Sequence, residues 1–258
     1  MKIATWNING IASRIDQVIG WCVAGQPDIL CLQETKCIDG RFPHQRFRNA
    51  GFSFVEFIGE KAYNGVAILS KQPITDVQKN FPDDAGDAPK RLIAGTVDGV
   101  RIVNVYVPHG TKFGSDKFKF KLDWIARLRR YFDKSFNTAD NVLLCGDLNV
   151  APHELDVWNP MLWQHKMHFS KPERDAIQTL KRWGFVDVYR AINDDEREYS
   201  WWSNFHHDFE KDRGLRIDHI WVSPPMAERC LDCWIDKGPR SMEKPSDHAP
   251  VIAEFLTV

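Results

Sequence analysis

The sequence predicts an α/β fold, one domain built as two packed sheets with helices outside them. Strand-like segments, apolar or alternating, dominate the chain and fall near residues 2–8, 28–33, 52–58, 64–70, 91–97, 100–107, 141–146, 216–223 and 249–256. Helical periodicity is confined to about 12–24, 116–134 and 173–183. No linker rich in Ser, Gly or Pro and no repeat of fixed period divides the 258 residues, so a single domain over 1–258 is expected.

Each element has a local reason. Met1-Lys2-Ile3-Ala4-Thr5-Trp6 enters a strand at once and ends in Asn7. A periodic run around Ser13 makes the first helix, and Asp28-Ile29-Leu30-Cys31-Leu32 is an apolar strand that delivers Gln33 and Glu34. Asn64-Gly65 and Asp98-Gly99 are turn signals, and the second, between 91–97 and 100–107, marks a hairpin that makes part of the sheet antiparallel. The stretch 81–89 reads as a surface loop. In 116–134, Phe120, Trp124, Leu128 and Phe132 recur at every fourth position as a core stripe. Val142-Leu143-Leu144-Cys145 is a buried strand leading into Gly146-Asp147-Leu148-Asn149, and Lys171-Pro172-Glu173 starts the last helix. Ser246-Asp247-His248 precedes the closing apolar strand, and the informative strand ends are expected to meet at one edge of the sandwich.

Hydrophobic residues make up 43% and charged residues 27%, ordinary globular proportions, and no apolar run approaches the roughly 18 residues a membrane span needs. No membrane partner is expected. The N-terminus shows no basic segment leading into a long apolar stretch, so the expected location is cytoplasmic. The cysteines, at 22, 31, 37, 145, 230 and 233, fit a reducing compartment. Cys230-Leu231-Asp232-Cys233 is a lone CxxC without a second pair, which favours two ordinary thiols over a zinc or redox site. With a net charge of −1 the chain as a whole does not attract polyanions, so any nucleic-acid contact is local. The best candidate is 112–134, where Lys112, Lys117, Lys119, Lys121, Arg127, Arg129, Arg130 and Lys134 outnumber Asp116, Asp123 and Asp133. Two readings stand there: a docking surface for a phosphate backbone, or the solvated face of a helix whose other side is core.

Where a buried strand gives out, a carboxylate and an amide two residues apart face the same way into a cleft. Asp147 and Asn149 stand so after one strand, Asn7 and Glu34 close two others, and Asp247 with His248 leads into the last. Carboxylates, amides and an imidazole are the materials for holding a hard divalent ion and activating water. Each also has a plain alternative in isolation. Asp-Leu-Asn is commonly an Asx turn, Asn7 a helix cap, Glu34 a surface acid, and Asp218 with His219 a surface-facing pair.

Taken together, the motifs resemble the exonuclease III and AP endonuclease family, within the wider endonuclease/exonuclease/phosphatase fold. The resemblance rests, in chain order, on Trp6-Asn7-Ile8-Asn9-Gly10, Leu32-Gln33-Glu34-Thr35-Lys36, Tyr63-Asn64-Gly65-Val66-Ala67, Tyr106-Val107-Pro108, Gly146-Asp147-Leu148-Asn149, Gly214-Leu215-Arg216-Ile217-Asp218-His219 and Ser246-Asp247-His248-Ala249-Pro250. It implies a four-layered α/β sandwich of two facing mixed β-sheets flanked by helices, and a Mg²⁺-dependent DNA repair phosphodiesterase acting on abasic sites or blocked 3′ ends. By that resemblance Glu34 would bind Mg²⁺ or Mn²⁺ with Asn7 and Asp247 near the same ion. Asp147 would orient or deprotonate the attacking water, with Asn149 holding Asp147 or the phosphate. His248, partnered by Asp218, would contact the phosphate together with Tyr106. Trp201 is similar to an aromatic that walls the sugar pocket, and Leu215 and Ile217 match other wall positions, although an aromatic cluster of this density also reads as core. The implied partner is double-stranded DNA carrying an abasic site, nick or 3′ end, bound by a monomer.

Two positions depart from the family pattern. His109 follows Tyr106-Val107-Pro108 where many relatives place Asn, which puts a titratable group in place of an amide. His168 lies in the segment that resembles the substrate-facing region, where AP endonucleases tend to have a small residue. It either narrows the space for a flipped-out abasic sugar or is a solvent-exposed loop histidine. The rival functions are a phosphatase of the wider fold acting on another phosphoester and a nucleic-acid-binding protein that has lost catalysis. Intact Glu34, Asp147, Asn149, Asp218, Asp247 and His248 argue against the second.

Overall fold

The computed structural model describes residues 1–257. Two six-stranded sheets face each other. The first runs in the order β11 (Cys230–Ile235), β12 (Val251–Phe255), β1 (Lys2–Asn7), β2 (Ile29–Gln33), β4 (Val66–Ser70), β3 (Phe54–Ile58). The second runs β5 (Thr75–Lys79), β6 (Leu92–Val97), β7 (Val100–Tyr106), β8 (Val142–Asp147), β10 (Asp218–Val222), β9 (Val186–Asp187). Each sheet has one parallel pair, β1 with β2 and β7 with β8. Parallel neighbours need a crossover, and α1 (Ile11–Gly25) and α3 (Asp116–Ser135) supply them. The shorter helices α2 (His44–Asn49), α4 (Pro160–Trp163), α6 (Val188–Ile192) and α7 (Pro224–Ala227) lie in connections, and α5 (Lys171–Lys181) packs beside α3.

The central strands read as unbroken apolar runs because both of their faces are buried. Between the sheets Ile3, Cys31, Ile68, Ile102, Leu143, Cys145 and Ile220 form one cluster. Outside the first sheet Trp6, Leu30 and Leu32 meet Val18 and Trp21 of α1. Outside the second, Val103, Val105 and Leu144 meet Trp124, Leu128 and Phe132 of α3 and Ile177 and Leu180 of α5. The result is the expected four-layered sandwich. All six cysteines are free thiols. Among the described residues no helix is long and apolar enough to cross a membrane.

One sequence reading is corrected. Phe120 is 45% exposed, and the buried face of α3 is Phe118, Lys121, Trp124, Ile125, Leu128, Tyr131 and Phe132. A stripe at every fourth residue drifts by about 40° per step on a helix of 3.6 residues per turn, so Phe120, three steps before Phe132, has rotated off the core. Lys121 takes part of that space, and its charge is buried rather than solvated.

Candidate active site

The sheet registers bring the site residues together. β8 pairs antiparallel with β10 so that Asp218 lies directly opposite Asp147, and parallel with β7 so that Tyr106 lies opposite Asp147 from the other side. Gly146 is required there. Its φ is +131°, and a Cβ would stand 2.0 Å from the Val105 carbonyl oxygen. Two carboxylates facing each other across strands repel. His248, arriving just ahead of β12, sits between them, with Nδ1 2.8 Å from Asp218 Oδ2 and Nε2 3.9 Å from Asp147 Oδ2. Ser200 fixes Asp218 further: its hydroxyl donates to Oδ2 at 2.7 Å and accepts the N–H groups of Ile217 and Asp218 at 3.1 and 3.0 Å.

Asp147 is also held from the opposite sheet. Asn7, at the end of β1, donates from Nδ2 to Asp147 Oδ2 and to Glu34 Oε1, both at 2.9 Å. Asn149, in a left-handed conformation at φ +53°, donates its N–H to Asp147 Oδ1 at 2.8 Å, and its Nδ2 to the Val107 carbonyl at 2.9 Å and to Asp147 Oδ2 at 3.2 Å. Lys36 Nζ lies 2.9 Å from Glu34 Oε2. Asp247 accepts from Asn9 Nδ2 at 2.9 Å and from Trp201 Nε1 at 3.0 Å. Tyr106 is buried beneath the Arg91 guanidinium, 4.6 Å from its ring centre.

This geometry sets the charges. Burial, with the Asp218 carboxylate adding to it, pushes Asp147 up to about 7. Burial alone would depress His248, but the neighbouring carboxylates, Asp218 foremost, override it and raise the imidazole to about 10. Glu34 is drawn below its ordinary range despite burial, by the Asn7 amide and the Lys36 ammonium. Burial, then Glu34 and Asp147, holds the Tyr106 hydroxyl protonated. One ligand atom each from Glu34, Asp147 and His248 lies within 4.8 Å of the others. A charged imidazole has no lone pair to give, and the Asn7 amide turns its NH2 to both carboxylates while its oxygen takes the Asn9 N–H, so Glu34 and Asp147 are the part of this group that fits a hard cation. The raised Asp147 is the sign of that fit: a buried negative charge short of compensation.

Beside Asp147 the wall is aromatic. His168 is only 4% exposed, so the exposed-loop alternative does not hold. Its φ is +73°, its Nδ1 lies 2.8 Å from the Asn149 carbonyl oxygen, and its ring meets those of His109 edge-on at 4.7 Å and Trp201 at 5.8 Å. His109 is exposed at this wall, and its Nδ1 accepts the Thr111 N–H at 3.1 Å. Trp202 is core, whereas Trp201 is half-buried and bridges Leu215 and His248. Leu215 and Ile217 are closed off from solvent behind Trp201, backing the wall instead of facing the cleft. Ser200, Arg91 and the Lys121–Glu173 pair are members of the site that the sequence does not disclose. None carries a local signal, because each acts through a partner far away in the chain.

The sequence profile of the Endonuclease/Exonuclease/phosphatase family matches residues 4–248. The chain belongs to this family. It is 37% identical to the exodeoxyribonuclease III of Haemophilus influenzae over 99% of this chain and 100% of that one. Among solved structures of this family, an AP endonuclease from Archaeoglobus fulgidus superposes with a TM-score of 0.95 at 41% identity, covering 99% of both chains. The 3′ phosphatase NExo from Neisseria, bound to a product DNA hairpin, gives 0.95 at 40% identity, again over 99% of both. The exonuclease III and AP endonuclease kinship and the sandwich of two mixed sheets expected from the motifs are thus borne out.

Proposed function

We propose that this chain is a Mg²⁺-dependent phosphodiesterase of DNA repair that removes blocking groups from 3′ ends in preference to cutting at internal abasic sites. The observation that carries the reaction type is the meeting of Glu34, Asp147 and His248, delivered from both sheets, within 4.8 Å. A bound divalent cation would neutralise charge on the phosphoryl and leaving oxygens. Asp147, its carboxylate fixed beside the cleft, takes the proton of a water as that water's oxygen bonds to phosphorus and the bond to the leaving oxygen breaks. Asn7 and Asn149 aim the Asp147 carboxylate by holding both of its oxygens. The His248 imidazolium, locked by Asp218, offers its charge to a phosphate oxygen, and the protonated Tyr106 hydroxyl donates to the same phosphate.

The substrate preference rests on His168. The relatives above include both an AP endonuclease and a 3′ phosphatase, so kinship does not choose between those activities. A rigid imidazole packed against Asn149, His109 and Trp201 fills space that an extruded internal sugar needs, while a terminal 3′-phosphate need not be flipped out of a continuous strand. The test is purified protein with Mg²⁺ on matched duplexes carrying an internal abasic analogue or a 3′-phosphate at a nick. The expected result is efficient phosphate release, weak abasic incision, and a rise of about tenfold or more in the incision-to-release ratio on His168→Gly. Strong incision by the unaltered protein, or a ratio that His168→Gly leaves alone, removes the preference. Full activity in excess chelator removes the metal.

A further inference from the structure

Lys121 and Glu173 are both fully closed to solvent and form an ion pair between α3 and α5. A buried pair of this kind seldom stabilises a fold more than apolar residues of the same size would, so its hydrogen-bond partners are informative. The Lys121 ammonium has three protons and three acceptors: Glu173 Oε1, the Asn149 carbonyl at 2.7 Å and the His109 carbonyl at 3.3 Å. These lie on three separate segments: the loops that carry His109 and Asn149, and the first turn of α5. Glu173 Oε1 also accepts the His168 N–H at 3.0 Å, and its Oε2 accepts the Ser170 N–H at 3.1 Å and hydroxyl at 2.5 Å. The Asn149 carbonyl is therefore gripped twice, by Lys121 and by His168 Nδ1, which must carry the proton because a carbonyl only accepts. The Ala151 N–H returns to the His168 carbonyl at 2.7 Å and closes the circuit. Asn149 and His168 both hold positive φ, a strained conformation that persists only where the surroundings over-determine it.

We propose that the Lys121–Glu173 pair is a positioning device for substrate choice, fixing the Asn149 backbone and the His168 ring as one rigid wall beside Asp147. The proposal rests on the reading of His168 given above. It predicts that loosening the pair relaxes the wall and shifts selectivity toward abasic incision, as removing the imidazole does. A role confined to packing α3 on α5 predicts instead that both activities fall together with the folded fraction.

The experiment compares the parent enzyme, His168→Gly, the paired change Lys121→Met with Glu173→Gln, and the combination of all three. The paired change leaves no lone charge buried. Each protein is first checked for a cooperative thermal transition, and kcat/KM is then measured on the abasic duplex and on the nicked 3′-phosphate duplex with Mg²⁺. The paired change should raise the incision-to-release ratio by about fivefold or more, and the triple variant should show a ratio no higher than His168→Gly alone, the non-additivity of groups acting through one another. A constant ratio in the paired variant, with His168→Gly still raising it, overturns this proposal alone. No response to His168→Gly overturns the earlier reading and this one with it. Should the paired variant not fold, Glu173→Asp keeps the charge and withdraws the carboxylate by one methylene; a raised ratio there supports the device, and an unchanged ratio overturns it.

Discussion

Asp147 carries a conflict that one substitution exposes. Its carboxyl has an ordinary value of 3.8 and is raised to about 7 in the folded protein. A raised folded value favours the protonated form, so the stability it contributes is complete below the unfolded value and is lost as pH rises through about 7. His248 has the same sign. Raised from 6.5 to about 10, it contributes stability that is complete below 6.5 and lost as pH climbs through 10. Of these two, only Asp147 changes between pH 4 and 6.5, while His109, His168 and His219, each depressed by burial below 6.5, contribute stability that grows with pH over the same range. Relative to the metal-free parent, Asp147→Asn should therefore gain stability steadily across that interval and be roughly 1–3 kcal/mol more stable at pH 8. Its turnover should fall by about a hundredfold or more. Thermal unfolding in chelator from pH 4 to 8 measures the first effect, and parallel profiles for the two proteins would refute it. Asp147 and Asn149 were legible in the sequence because a polar pair directly after Val142-Leu143-Leu144-Cys145 breaks an apolar strand. Lys121 and Glu173 were not, since each alone looks like an ordinary helix charge, and only the packing of α3 on α5 buries them.

At the scale of elements, the strands buried on both faces announce themselves in the sequence, whereas of the four edge strands only β3, within 52–58, does. β5 is exposed over most of its length and reads Thr75-Asp76-Val77-Gln78-Lys79, with no apolar alternation to detect. β11 reads in sequence only as a lone CxxC, and β9 is two residues long. The basic character of α3 survives in reduced form. Lys121 is inside, Arg127 pairs with Asp83 and Asp84, and Arg129 pairs with Asp133. Lys112, Lys117, Lys119, Arg130 and Lys134 remain exposed. Lys112 lies in the segment between His109 and the helix, and Lys117 and Lys119 lie in the first turn of α3. If they meet the DNA backbone, changing all three to Gln should weaken binding and reduce the slope of log affinity against log salt by about 0.9 for each phosphate that is no longer neutralised. Binding titrations at several salt concentrations decide it: an unchanged slope makes this face merely solvated.

Across the whole molecule, the site is the seam where the two sheets touch through polar groups. Glu34 and Asn7 belong to the end of the first sheet, Asp147 and Asp218 to the second, and the Asn7 amide already bridges Glu34 to Asp147. A cation held by carboxylates from both sheets would join them at the edge where like charges otherwise push them apart. Binding to the folded state alone stabilises it by mass action, by about 2.7 kcal/mol when free ligand is a hundredfold above Kd. For a chain of this size that corresponds to a rise in Tm of roughly 5–10 °C. Mg²⁺ or Mn²⁺ should therefore raise the Tm of the parent at pH 7.5. Ca²⁺, which also takes oxygen ligands, should do so without supporting turnover if the more demanding octahedral geometry of Mg²⁺ is needed to place the attacked phosphate. Glu34→Gln should keep a cooperative transition, since its amide can still meet Asn7, yet lose most of the metal-induced shift. Calorimetry with and without the ions measures all of this without relying on catalysis. A parent Tm indifferent to divalent ions, or a shift equally large in Glu34→Gln, would move the cation away from Glu34 and leave the carboxylate pair without a partner.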